Sequence, residues 1–169
     1  MLIRPYAYAD ATPTLKVFFR AIELTARAHY SKAQRAAWAD RAGRTIPTWH
    51  VARSAADTWV AEVEGRVVGF ADLDASGTID MLFVDPDFAR RGIAAALLAR
   101  PLSTARARGL TRVRTNASDT ACPFFLAHGF RIEEQRTVVV RGVSMSHTAL
   151  VLDLEPEAEA EAEAEADAE

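Results

Sequence analysis

The stretch Thr78–Ala99, TIDMLFVDPDFARRGIAAALLA, constrains this chain more than any other. Ile79 to Val84 is apolar and rich in β-formers, which predicts a strand. Asp85, Pro86 and Asp87 interrupt it, because proline cannot continue a ladder and aspartates favour turns and helix starts. From Gly92 the spacing turns helical, with Ile93, Ala96, Leu97 and Arg100 recurring at three- and four-residue intervals. A strand, a loop holding Arg90, Arg91 and Gly92, and a helix start together make a site for an anion. The first helical amides lack partners within the helix, and the dipole adds about half a positive charge there. Such a terminus binds phosphate readily, so an anionic group is expected at residues 89–95.

The rest of the chain supplies a frame for that stretch. Leu2–Pro5 reads as a short edge strand, where proline is tolerated. Asp10 or Thr12 caps a helix over residues 14–29, with Pro13 in its first turn. Ser31 caps a second helix, AQRAAWAD, which Gly43 and Pro47 break; a short turn follows around Trp49. Thr58–Glu64 alternates apolar and polar residues, Gly65-Arg66 turns, and Val67–Leu73 returns as the second strand of a hairpin. After the helix over residues 92–108, kinked at Pro101 and ended by Gly109, come a strand at Leu110–Thr115 and a short helix capped by Ser118 or Asp119. A strand pair, Phe130–Val140 and Ser144–Leu154, closes the chain through Arg141-Gly142. The order β-α-α-β-β-β-α-β-α-β-β describes one α+β domain over residues 1–154.

Residues 155–169 read EPEAEAEAEAEADAE, with eight acids and no base. Strict Glu/Ala alternation has no apolar face, so the expectation is a disordered, solvating tail rather than an acidic segment that binds a partner or the basic site. The whole chain carries −3, but without the tail fifteen acids face twenty Lys and Arg, a body at +5. Those cations are scattered without interleaved aromatics, which argues against nucleic acid. No run reaches the 18 apolar residues of a membrane span, and the first ten residues lack the pattern of a signal peptide. One cysteine, Cys122, leaves no internal disulfide and fits a reducing, cytoplasmic setting. It has no basic neighbour to lower its pKa, so it is read as a buried small residue and not a nucleophile. No His/Cys cluster has metal-ligand spacing.

Three pieces in this order resemble the GNAT superfamily of N-acetyltransferases over residues 1–154: the hairpin WVAEVEGRVVGFADL, the motif LFVDPDFARRGIAAALL, and the closing NASDTACPFFLAHGF. The resemblance implies a mixed, mostly antiparallel sheet flanked by helices. It also implies transfer of an acetyl group from acetyl-CoA to a primary amine, on a small molecule or a peptide, by direct attack in a ternary complex. Two positions depart from the family pattern. Ala89 stands where Gln or Arg is usual, with Arg90 and Arg91 supplying charge. Phe125 stands where many members carry the tyrosine that protonates the departing thiolate. These departures and the tail motivate an alternative, a catalytically weak acyl-CoA-binding regulatory or interaction module.

By the resemblance, Leu82 supplies the oxyanion-donating amide and Leu82, Phe83 and Val84 pair with the pantetheine arm. Ala89, Arg90, Arg91, Gly92, Ile93, Ala94 and Ala95 hold the pyrophosphate, and Phe125 borders the cofactor. Asn116 bonds either the pantetheine or its own backbone. Strand alternation places Asp80 on the same face as Leu82, about 7 Å away. Asp80, set between Ile79 and Met81 and so partly desolvated, is the first candidate base, directly or through water; Asp72 is the second. His29 and Tyr30, with Trp38 and Trp49, either wall the acceptor pocket or pack between helices. His128 reads as a helix-end cap. Edge strands in the C-terminal half offer a route to a homodimer.

Overall fold

The computed structural model describes residues 1–154; the acidic tail expected over 155–169 lies outside the described residues. The elements are β1 (Leu2–Pro5), α1 (Ala11–Arg20), α2 (Lys32–Ala39), α3 (Ile46–Ser54), β2 (Asp57–Val63), β3 (Arg66–Leu73), β4 (Thr78–Ile79), β5 (Leu82–Val84), α4 (Ile93–Ala107), β6 (Arg112–Ala117), α5 (Cys122–Ala127), β7 (Arg131–Val140) and β8 (Val143–Asp153). They form two four-stranded sheets, β1-β2-β3-β5 and β4-β6-β8-β7, in which the β4–β6 pair is parallel and the others antiparallel. The mixed, mostly antiparallel α+β architecture expected from the sequence is present.

Both tight hairpins follow from their turn residues. Glu64 and Gly65 have φ of 51° and 74°, and Arg141 and Gly142 have 47° and 76°. Positive φ at both central positions matches the right-handed twist of the flanking strands. The first turn therefore sits one residue earlier than the Gly65-Arg66 read from the sequence.

The first sheet is covered on both faces. On one side Phe18 and Ile22 from the first helical segment, Trp49 of α3, and Val60 and Phe70 of the sheet form a buried core. On the other, Ile93 and Leu97 of α4 pack on Ala61, Val68 and Ala71. The second contact needs Gly69: a Cβ there would stand 2.9 Å from the Phe83 carbonyl oxygen and 3.0 Å from a Leu97 methyl. A larger residue would push the helix off the strand, and with it the loop that α4 begins.

Three further sequence expectations are corrected. The helix over residues 14–29 is α1, then a π turn at Ala21–Thr25, then a 3-10 turn at Ala26–Ala28. Pro47 does not merely break α2. It lies in the first turn of α3, whose N-cap is Thr45, where a missing amide costs nothing. The strand expected over Ile79–Val84 is two strands that belong to different sheets, and the two sheets part at Asp80 and Met81.

Candidate active site

The parting of the sheets is built by Asp72. Its backbone amide donates to the Met81 carbonyl at 3.0 Å. Its Oδ1 then accepts from the amides of Asp80 (2.9 Å) and Met81 (2.8 Å). One carboxylate oxygen thus stands in for a missing strand and lets the chain leave the ladder without stranding buried donors. Oδ2 accepts from Arg53 Nη1 at 2.5 Å. Asp72 is only 2% exposed, and burial pushes its carboxyl up to about 6 against the opposing pull of Arg53 and the two amides.

Beyond the parting, β5 is an edge strand, and hydrogen-bond parity fixes which groups it leaves free. Asp85 donates to the Val68 carbonyl at 2.7 Å, and Asp72 to Met81. In the register Phe70↔Phe83, these bonded pairs alternate with the non-bonded pairs Gly69↔Val84 and Ala71↔Leu82. The N–H and C=O of Leu82 and Val84 therefore point away from β3, into the gap between the sheets.

Asp85 then turns the chain. It is 2% exposed, accepts the Asp87 amide at 3.0 Å, and is paired by Arg20 Nε at 3.2 Å and Arg66 Nη2 at 3.4 Å. This clamp ties the end of β5 to α1 and β3 and fixes where the following loop starts. Arg90 holds φ at 61° and Gly92 at 75°, so the loop alternates handedness just before α4. Successive amides in such a loop converge on a concavity suited to an anion. A Cβ on Gly92 would meet nothing within 4 Å, so the space beside the helix start is open.

A cavity of about 1040 Å³ joins these parts, at the upper end of the sizes usual for small-molecule sites. One wall is Leu82, Phe83 and Val84; Ala89, Arg90 and Gly92 with Ile93, Ala94 and Ala95 follow; Asn116 and Phe125 stand across the gap. The sequence-predicted Arg91 is not in the wall; its guanidinium stacks on Phe88, 5.0 Å from the ring centroid. The π turn contributes Ala21 and Thr25, and Trp38, Arg44, Arg53 and Asp80 also line the cavity. π turns inside helical segments recur at functional sites.

The candidate acceptor residues are placed differently from their expectation. Asp80 lines the cavity, but its side chain is 69% exposed and 3.8 Å from Arg53 Nη2, not desolvated in an apolar strand. The reason is the parting itself, which ends the alternation that put Asp80 between buried neighbours. Asp72 is the desolvated carboxylate and stands behind the wall, not in it. His29 is exposed and reaches the cavity through Thr120, whose Oγ1 lies 3.0 Å from His29 Nδ1. Tyr30 is buried outside the main cavity. Its hydroxyl donates to the Ser146 carbonyl (3.0 Å) and accepts from the Asp119 amide (2.8 Å), and it borders a second recess of about 140 Å³. His128 bonds the Phe124 carbonyl at 2.8 Å at the helix end and also touches the main cavity. Phe125, 2% exposed and packed on Phe124 and Phe130, offers no proton. Sequence reasoning missed Arg44 and Arg53; the signal for Arg53 was its spacing of four from Trp49 on one helix, where its guanidinium lies 5.0 Å from that ring.

Comparison with known proteins places this arrangement in a family. The acetyltransferase (GNAT) domain profile matches residues 26–152. A relative from Escherichia coli strain K12, named uncharacterized N-acetyltransferase YafP, is 38% identical over 140 residues, 83% of this chain and 87% of its own. A solved GCN5-related N-acetyltransferase from Rhodopseudomonas palustris superposes with a TM-score of 0.86 at 33% identity, over 90% of this chain and 95% of that one. The PaiA N-acetyltransferase of Thermoplasma acidophilum, solved with coenzyme A, shares the fold at a TM-score of 0.71 and 16% identity, over 90% of this chain and 98% of its own. The chain belongs to the GNAT family of acetyltransferases. Among the described residues no helix is long and apolar enough to cross a membrane.

Proposed function

We propose that this protein transfers an acetyl group from acetyl-CoA to a primary amine by direct attack within a ternary complex, in the gap where the two sheets part. The observation that carries the reading is the pair of free edge groups on β5, which lead from the open loop at Arg90–Gly92 to the charged end at Asp80. The parts fit the cosubstrate. The amides from Arg90 to Ala95, with the Arg90 side chain, receive the pyrophosphate at the start of α4; the Ala89 amide is taken by the Pro86 carbonyl at 3.3 Å, so Ala89 serves only as wall. The free N–H and C=O of Val84 and the C=O of Leu82 suit an amide-bearing pantetheine arm laid along the edge like a further strand, which leaves the Leu82 N–H for the thioester.

Acetyl-CoA supplies an acyl thioester, whose carbonyl carbon forms the C–N bond as the C–S bond breaks and coenzyme A leaves as the thiol. The Leu82 amide is the donor for the oxyanion that develops at that carbonyl. Asp80, water-exposed at the cavity's charged end, takes the proton that the ammonium form of the acceptor must lose, directly or through water. The leaving thiolate gains its proton from water, since Phe125 has none to give.

The reading is tested by following free-thiol release from acetyl-CoA across a panel of amines, with calorimetry of acetyl-CoA binding in parallel. Amine-dependent release supports transfer. Binding without release for every amine favours an acyl-CoA-binding module, and absence of binding removes both.

A further inference from the structure

We infer that the acceptor amine carries an anionic group, a carboxylate or phosphonate, and that Arg44 receives it. The inference rests on the acetyl-transfer reading and names the class of its acceptor.

The charged end of the cavity holds two arginines in unlike states. Arg53 is 5% exposed, and its charge is matched inside the protein by Asp72 at 2.5 Å. Arg44 is half-buried and unmatched. Its Nε donates to the Ala39 carbonyl at 3.0 Å, and its guanidinium lies 4.6 Å from the Phe18 ring centroid. Among the described residues no carboxylate comes within 4.0 Å of it, and Nη1 and Nη2 have no protein acceptor. Asp40, the nearest acid in sequence, is bonded by Arg141 instead. Neither Nη is sealed from solvent, and Arg44 lines the cavity.

A cation drawn partly out of water without a counter-ion is costly, and burial holds the Arg44 guanidinium below its ordinary range. The Nε–Ala39 bond and the contact with the Phe18 ring hold the guanidinium, and the occupied Nε leaves the Nη edge for a ligand. That edge matches a carboxylate or phosphonate with two parallel donors. Asp80, exposed at the same end and only loosely paired with Arg53 at 3.8 Å, faces an ammonium. An exposed carboxylate and a guanidinium without an ion-pair partner at one end of a cavity select a molecule that carries both signs. A polycation gains Asp80 but meets two arginines.

The test is thiol release from acetyl-CoA with matched acceptors: glycine, β-alanine and γ-aminobutyrate against methylamine, ethylamine, propylamine and glycinamide, with 2-aminoethylphosphonate and spermidine as further arms. The expected result is kcat/KM about tenfold or more higher for an acid-bearing amine than for its partner without the acid. The phosphonate arm tells which anion is preferred. Arg44→Gln should erase that preference while acetyl-CoA affinity stays unchanged, and Arg44→Lys should restore part of it. Equal or better turnover of spermidine or the neutral-tailed amines, or a preference that survives Arg44→Gln, overturns the inference and leaves acetyl transfer standing. A readout without turnover separates the two claims. Ligand-observed NMR on CoA-saturated protein should show N-acetylglycine and N-acetyl-β-alanine bound more strongly than N-methylacetamide, and Arg44→Gln should remove the difference. Equal binding of acid and neutral probes contradicts the inference whether or not any amine is acetylated.

Discussion

Arg53 and Asp72 meet at 2.5 Å behind the wall of the cavity, and the other oxygen of Asp72 holds the amides of Asp80 and Met81. A buried ion pair is thus also the wedge that parts the two sheets. Asp72→Ala should cost about 3–5 kcal/mol, because it strands two amides and leaves Arg53 without its counter-ion. Asp72→Asn keeps an acceptor oxygen and should cost clearly less. Denaturant unfolding of the two variants decides this; equal losses would mean that the amide bonds contribute little.

The same carboxyl makes stability depend on pH in an unusual sense. Its folded value, pushed up to about 6, lies above the ordinary 3.8. The folded state therefore keeps its proton longer than the unfolded chain, and this group's contribution is greatest below about pH 4. It falls as pH rises to about 6 and is flat above, a loss of about 3 kcal/mol at most. Unfolding free energy measured from pH 4 to 7 should decline in the wild type relative to Asp72→Asn. Parallel curves, or a relative rise, would contradict the assignment.

Arg90 is a non-glycine residue with φ of 61°. Arg90→Gly should stabilise the protein by about 1 kcal/mol by relieving the left-handed conformation. The same change should weaken acetyl-CoA binding several-fold through loss of the charge, most at low salt. A thermal melt and calorimetry at two ionic strengths test both halves. Gain in both stability and affinity would show that the strain serves no binding role.

Gly92→Glu places a carboxylate in the open space beside the start of α4. Acetyl-CoA affinity should fall by more than about tenfold; the side chain meets nothing within 4 Å, and the left-handed φ of 75° should cost about 1 kcal/mol of stability, which a thermal melt reads separately. Unchanged affinity by calorimetry would move the pyrophosphate elsewhere.

Much of this was legible in the sequence because it depends on neighbours in the chain. The hairpin at Glu64–Gly65, the helix after Gly92 and the final strand pair follow from alternation and turn residues. The parting at Asp80–Met81 was hidden, because an apolar run reads as one strand unless a carboxylate from β3 is known to cap its middle. The same long-range contact misdirected the reading of Asp80, which loses its buried neighbours once alternation stops there. Arg44 and Arg53 were missed for a related reason: only folding brings α3 and the loop before it against the charged end of the cavity. Pro47 looked like a breaker because the capping role of Thr45 turns on a bond from the Thr48 amide, which marks a helix start.

Leu82→Pro removes the proposed oxyanion donor and little else of the backbone. The amide it deletes lies on the free side of β5, so the ladder to β3 keeps its bonds, and proline is tolerated on an edge strand. Steady-state turnover with acetyl-CoA and an accepted amine, read beside acetyl-CoA affinity by calorimetry, separates catalysis from binding. The expected result is a fall in kcat of about 10²–10³, the loss typical of one oxyanion donor, in a protein that folds and still binds acetyl-CoA. A kcat close to that of the wild type would contradict the role of Leu82 and the placement of the reaction at the parted sheet edge.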